Sequence, residues 1–336
     1  MRIVITGASG NFGTALLRQL SQAEHQLVGI SRQRPPHTPP YDRADWIQAD
    51  LSEPDSQAIL TDAFAGADAV VHLAWLIQPS YDRELLRRTN QNGTRRVIAA
   101  AQRAGVQHLV HASSVGVYSP RRHRSPVDED WPRDGVPTSS YSVDKAAAEH
   151  MLDDAEQESS MVISRIRPGL IMQGAAASEI SRYFLPHWLL PSLVRPGLLR
   201  FAPYPAGFAL QFVHANDVAR AVVAVLEHRA AGAFNVVAEP VMDRPAWRQC
   251  FGGVAPSVPT TLLRRLASLS WRAHLQPTDP GWIDLAASVP LLSSARIRAL
   301  GWVPEHSADE VLLEFVKGLS RKSGTASPVL APRRSG

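Results

Sequence analysis

The chain has 336 residues, 45% hydrophobic and 20% charged, a globular balance that excludes wholesale disorder and suits one large α/β unit or two domains. Its 35 basic and 31 acidic residues give a formal charge of +4, and the basic clusters (Arg121-Arg122-His123-Arg124, Arg333-Arg334) are short and carry no aromatics, so no nucleic-acid partner is expected. A single cysteine, Cys250, excludes an internal disulfide framework and a Cys-based zinc site, and no apolar run reaches the roughly 20 residues of a membrane span.

The chain opens on Met1-Arg2 and runs at once into Ile3-Val4-Ile5, without the apolar region and cleavage site of a leader. A cytoplasmic protein with no membrane partner is the expectation. Strand-like apolar runs follow at Arg2–Thr6, Gln26–Ile30, Trp46–Gln48, Ala69–His72, His108–Ala112 and Met161–Arg165. Helical patterns lie between them, near Gly13–Ser21, Asp55–Phe64, Tyr81–Ala104 and Tyr141–Glu156. Buried strands alternating with helices predict an α/β fold, a Rossmann-type doubly wound parallel sheet over residues 1–168. After Pro168 the chain turns rich in Pro, Trp and Leu, with weak periodicity. Residues 207–238 read as the α/β domain resuming, so 169–206 and 239–318 form a smaller, discontinuous substrate lobe. Residues 319–336, rich in Ser, Pro and Arg, read as a disordered tail.

The first strand runs into Thr6-Gly7-Ala8-Ser9-Gly10-Asn11-Phe12-Gly13, which opens a helix. Glycines there permit a tight turn and let the backbone approach a pyrophosphate, held by free N–H groups and the helix dipole. The end of the second strand separates NAD from NADP. It reads Gly29-Ile30-Ser31-Arg32-Gln33-Arg34, with no carboxylate before Asp42. Ser31 and Arg32, with Arg34 in reserve, suit a 2′-phosphate, so NADP is favoured over NAD.

Tyr141 and Lys145 stand four residues apart on a predicted helix, hence on one face. A free phenol, with a pKa of about 10, is a poor base at neutral pH, and a neighbouring ammonium stabilises its anion. Lys145 is the only lysine in the first 300 residues, where arginine fills every other basic position. Ser113 and Ser114 close the fifth strand, at the carboxyl end where doubly wound sheets bind ligands, and a hydroxyl there can polarise a substrate oxygen.

Together with Asp50-Leu51, His72-Leu73-Ala74, Asn90-Gln91-Asn92-Gly93-Thr94, Arg167-Pro168-Gly169 and Val213-His214-Ala215-Asn216-Asp217-Val218, these motifs resemble the extended short-chain dehydrogenases/reductases of the NAD-dependent epimerase/dehydratase group, from residue 2 to about 318. The resemblance implies that Ser114, Tyr141 and Lys145 are catalytic. It implies cofactor contacts for Gly7, Gly10, Asn11, Phe12, Gly13, Ser31, Arg32, Asp50, Leu51, Leu73, Ala74, Asn90, Pro168 and Gly169, with Lys145 on the nicotinamide ribose. His214 and Asp217 would organise the later lobe, and a homodimer through the long helices is what the family suggests. Members acting on nucleoside-diphosphate sugars commonly carry an Arg four residues before this His. Here Leu210 stands there, and Arg167 replaces a sugar-binding Asn. A leucine cannot pair a diphosphate, which speaks against a UDP-sugar substrate.

The apolar stretch over residues 183–208 either lines a pocket for an apolar ketone or alcohol or packs the small lobe onto the main domain. Gln78, Tyr118, Gln173 and Tyr183 are the expected substrate neighbours. Histidine spacing matches no metal-ligand pattern, so no metal is expected. The leading expectation is an NAD(P)-dependent oxidoreductase acting on a secondary alcohol or ketone. Its alternatives are an epimerase that recycles tightly held NAD and a catalytically silent NADP(H)-binding sensor.

Overall fold

The computed structural model describes residues 1–184 and 194–332, so residues 185–193 of the apolar stretch and 333–336 of the tail lie outside it. The main sheet has seven strands, all parallel, in the order β10-β6-β5-β4-β1-β2-β3. They are β1 (Arg2–Thr6), β2 (Gln26–Ser31), β3 (Ala44–Gln48), β4 (Ala69–His72), β5 (His108–Ala112), β6 (Val162–Pro168) and β10 (Gly232–Val236). Short strands β7 (Leu170–Met172) and β9 (Phe212–His214) pair with each other, as do β8 (Tyr204–Pro205) and β11 (Ser257–Val258).

Helices α1 (Asn11–Leu20), α2 (Ser56–Phe64), α3 (Arg83–Arg87), α4 (Gly93–Arg103) and α5 (Ser140–Glu158) belong to the first half of the chain. The rest are α6 (Ala177–Phe184), α7 (Pro196–Leu199), α8 (Ala215–Glu227), α9 (Arg244–Phe251), α10 (Thr260–Arg272), α11 (Gly281–Ser288), α12 (Ala295–Arg298) and α13 (Ala308–Ser320). One face of the sheet is sealed by α1 and α8, through Leu16, Leu17, Val218 and Val222. The other is sealed by α2, α4 and α5, through Leu60, Phe64, Val97, Ala101 and Leu152. Both faces of the central strands are thereby dry, which is why those strands read as unbroken apolar runs. Strand order reverses between β1 and β4, and the glycine turn opens at that switch point, where open α/β sheets bind ligands.

The helix expected over 81–104 is divided. A π-helical segment, Arg88–Asn92, separates α3 from α4, and Gly93 lies where a Cβ would come 3.1 Å from the Leu51 Cβ. The small lobe has its own core of Phe212, Met242, Phe251, Val311, Leu312 and Val316. Its last helix, α13, starts with a capping box in which Glu310 accepts from the Ser307 N–H at 2.9 Å.

The segment expected to be a free tail from 319 is packed as far as residue 332. Ser320 completes α13, and Ser327 and Leu330 are fully buried. Composition favours disorder only where no binding surface waits for the chain, and here one does.

Candidate active site

Gly7 has φ +72°, and a Cβ on it would come 2.7 Å from the Ala74 nitrogen. A Cβ on Gly13 would lie 2.4 Å from the Gly7 carbonyl. Neither position accepts a side chain, so the turn stays bare enough for a ligand to reach its backbone. Gly10 caps α1 without a side-chain acceptor, leaving the first-turn N–H groups of Asn11, Phe12 and Gly13 without an intrahelical partner. This cradle fits a dinucleotide pyrophosphate in shape and sign.

Behind the turn runs a chain of neutral hydrogen bonds. The Thr6 hydroxyl meets His72 Nδ1 at 2.7 Å, and His72 Nε2 meets the Thr94 hydroxyl at 3.0 Å. Thr94 donates to the Asn90 carbonyl, while Asn90 clamps both backbone groups of Leu76 at 2.8 and 3.0 Å. Burial, and then the charge of Lys145, lower the pKa of His72 to about 3, so the ring is a neutral strut. Asn90 thus fixes the backbone at Leu76, a role that needs no cofactor contact.

At the end of β2, the Ser31 hydroxyl donates to the Gln33 carbonyl at 2.7 Å. Arg34, also exposed, donates to the Trp46 carbonyl at 2.8 Å and keeps its other N–H groups. Arg32 is exposed and joins no ion pair among the described residues. Asp50 accepts from the Ser52 N–H and hydroxyl at 2.9 and 2.8 Å, which sets its carboxylate at the sheet edge beside buried Leu51.

Helix α5 carries Tyr141 and Lys145 on one face, and Ser139 caps its start by accepting from the Ser142 N–H. The Ser114 hydroxyl accepts from the Gly116 N–H at 3.0 Å and lies beside the Tyr141 phenol, where it favours the phenolate. A Cβ on Gly116 would come 3.0 Å from the Tyr141 ring, so the glycine makes room for that contact. Lys145 donates to the Ala112 carbonyl at 2.7 Å and lies 3.5 Å above the Trp75 ring. Burial, partly offset by the Ser114 hydrogen bond, raises the phenol pKa to about 12. Burial also lowers that of Lys145 to about 7, against the opposing pull of Glu149.

Trp75 stands edge-on to Tyr141 at 6.4 Å, Trp282 lies against the same ring at 5.0 Å, and Phe184 meets Trp282 edge-on at 5.0 Å. A small cleft in front of Tyr141 is lined by Leu76, Gln78, Asp279 and Trp282. Of the expected substrate neighbours, Gln78 is the one found here. Neither tryptophan was singled out from sequence, although Trp75 directly follows His72-Leu73-Ala74.

Residues 3–237 match the family model described as "NAD dependent epimerase/dehydratase family". The chain belongs to that family. An uncharacterized Mycobacterium tuberculosis (strain ATCC 25618 / H37Rv) protein is 28% identical over 330 residues, 96% of this chain but 31% of that protein, so the chain spans about a third of that relative's length. The 2-alkyl-3-oxoalkanoate reductase of Stenotrophomonas maltophilia is 34% identical over 181 residues, about half of each chain. In fold, the Thermus thermophilus UDP-glucose 4-epimerase in complex with NAD superposes with a TM-score of 0.67 at 19% identity, over 95% of this chain and 99% of that one.

Within this epimerase/dehydratase family member, several expected site residues serve other ends. Tyr118 is fully buried, donating to Asn235 at 2.6 Å and accepting from Arg167 at 2.9 Å, so it cannot touch a substrate. Gln173 is buried on the glycine-turn side, where it donates to the Asn11 side chain at 2.6 Å. Tyr183, on α6, is half-buried and is not among the residues lining the cleft before Tyr141. Pro168 ends β6. A Cβ on Gly169 would lie 2.4 Å from the Gln211 carbonyl, so close backbone packing alone explains that glycine.

Arg167 forks onto buried Glu149 at 2.8 and 2.5 Å, and Glu149 accepts also from Ser113. This separates the two serines: Ser113 anchors the core pair and Ser114 faces Tyr141. Leu210 is half-buried in the small-lobe core, so no guanidinium stands there. Asp217 accepts from Arg220, from the Glu305 and His306 N–H groups and from the His306 ring, organising the later lobe as expected. No helix among the described residues is long and apolar enough to cross a membrane.

Proposed function

We propose that this family member is an NAD(P)-dependent oxidoreductase that interconverts a secondary alcohol and a ketone on a small, non-nucleotide molecule. The convergence of Ser114 and Tyr141 on Gly116, with Lys145 one helical turn along α5 from Tyr141, carries the reading. A bound nicotinamide supplies or takes the hydride. In the reducing direction, Tyr141 keeps its proton at neutral pH until charge develops on the substrate oxygen, then donates it there, while Ser114 holds the same oxygen. Lys145 in its protonated form would stabilise the phenolate left behind, and it retains N–H groups for a ribose, since only one bond, to the Ala112 carbonyl, is committed.

The glycine cradle, Asp50, Leu51, Leu73 and Ala74 would hold the dinucleotide. NADP is favoured because Arg32 is uncommitted and no carboxylate stands at the end of β2. A non-nucleotide carbonyl is favoured by Leu210, and the ketone class is in keeping with the name of the oxoalkanoate reductase relative. Pairing of two copies through the long helices belongs to the same reading and is checked by sedimentation.

Two measurements test it. Denaturing the untreated protein and weighing any released nucleotide by mass spectrometry separates an exchanging reductase from an epimerase that retains NAD. Tyr141→Phe should keep dinucleotide affinity while lowering turnover of a reducible ketone by about 10²–10⁴. Undiminished turnover in that variant removes Tyr141 from the chemistry.

A further inference from the structure

The C-terminal segment closes on itself and then on the glycine turn. Within it, the Leu330 and Ala331 N–H groups donate to the Ser327 carbonyl at 3.1 and 2.8 Å, and the Thr325 N–H donates to the Leu330 carbonyl at 3.3 Å. A Cβ on Gly324 would lie 2.3 Å from that Leu330 carbonyl, so the loop cannot tighten around a larger residue. Its own hydroxyls reach two places. Ser327, fully buried, donates to the carbonyl of Ser9, inside the glycine turn, at 2.5 Å. Thr325 meets the Tyr41 hydroxyl at 3.2 Å, which in turn meets Thr14 of α1 at 3.0 Å. On the far side, α6 grips the same loop: Ser178 donates to the Ser323 carbonyl at 2.7 Å, and Arg182 donates to the Ala331 and Val329 carbonyls.

We propose that residues 323–331 are a latch on the dinucleotide site, tying the glycine turn to α6 along its adenosine side, so that cofactor exchange requires the latch to open. The inference rests on the dinucleotide reading above. Its direction comes from the anchors. Ser9 stands between the two turn glycines Gly7 and Gly10, Tyr41, which Thr325 meets, lies between β2 and β3, and Gln173 links the chain leading into α6 to Asn11. The latch therefore joins the two walls between which a dinucleotide's ribose and pyrophosphate would lie. Its own hold is modest: a few hydrogen bonds, those of Arg182 among them, and one buried leucine. Such an element opens locally without unfolding the sheet. Ser327 and Thr325 act through the turn and are positioning residues.

The test is the release rate of NADPH, followed by its fluorescence after mixing the loaded protein with excess unlabelled NADP, for the full chain and for a chain ending at Lys322. The shorter chain should release the dinucleotide at least tenfold faster. Single-turnover reduction from the preloaded complex should be unchanged, because Ser114, Tyr141 and Lys145 are untouched. The full-length double variant Thr325→Val/Ser327→Ala, which keeps Leu330 in place, should show the same acceleration and guards against misfolding of the truncated form. Release rates within twofold of one another in all three overturn the latch while leaving the dinucleotide reading intact. Uptake of NADPH and NADH by none of the three overturns both.

Discussion

The buried pair Glu149–Arg167 gives a prediction whose size follows from its geometry. The two side chains are 0% and 3% exposed, joined by two bonds at 2.8 and 2.5 Å. The remaining capacity is also filled: Arg167 donates to the Tyr118 hydroxyl at 2.9 Å and the Glu129 carbonyl at 2.8 Å, and Glu149 accepts from Ser113. Burial opposes ionisation of Glu149, but bonding to Arg167 and its charge outweigh this and hold the carboxyl below its usual range. Glu149→Leu strands a buried guanidinium whose Nε and Nη2 edge has lost both its bonds, and Arg167→Met strands a carboxylate whose other cation, Arg133, is 3.9 Å away. Each should cost about 3–5 kcal/mol. The double variant removes both charges and leaves only neutral groups without partners, at about 1–3 kcal/mol each, so its total should fall well below the sum of the singles, a coupling of about 3 kcal/mol or more. Urea unfolding of the four proteins measures it. Single losses that simply add, to within about 0.5 kcal/mol, would refute the claim that the charges depend on each other.

Other consequences are tested more simply. Gly13→Ala should abolish dinucleotide uptake, because its Cβ would come 2.4 Å from the Gly7 carbonyl, and calorimetric titration reads this directly. Arg32→Ala should weaken NADPH binding at least tenfold and leave NADH within twofold; equal losses for both would remove the 2′-phosphate role. For His72 the folded pKa of about 3 lies below the ordinary 6.5, so the unfolded chain takes the proton first. Stability should therefore be complete above about pH 6.5 and decline as pH falls from there toward 3. The urea midpoint should drop less steeply over that window in His72→Gln, and parallel slopes would show that other groups dominate the acid response.

What could be read in advance was whatever lay within one turn or one strand. The glycine turn, the Tyr141/Lys145 pair and the six strands of the first half are local patterns, and each sits where its periodicity or spacing put it. What escaped was assembled from distance. Trp282 reaches Tyr141 from across the small lobe, and Glu149 reads as one polar residue on a helix until Arg167 and Ser113 converge on it. Tyr118 shows the converse: an aromatic close in sequence to the double serine is turned away from the cleft by its own partners, Asn235 and Arg167. Helix α10 went unread although Leu262, Leu266 and Leu269 recur at helical spacing, and in the structure that stripe faces outward, the three being 49%, 55% and 65% exposed.

The indoles around Tyr141 have a practical consequence. Trp75 and Trp282 both lie against the phenol, and Trp75 carries the Lys145 ammonium on its face. Anything that enters the cleft or draws that ammonium away must alter the surroundings of an emitting ring. The protein therefore contains its own optical probe, and changes in tryptophan emission, compared with a Trp75→Phe variant, should report occupancy of the reaction centre before any substrate is known.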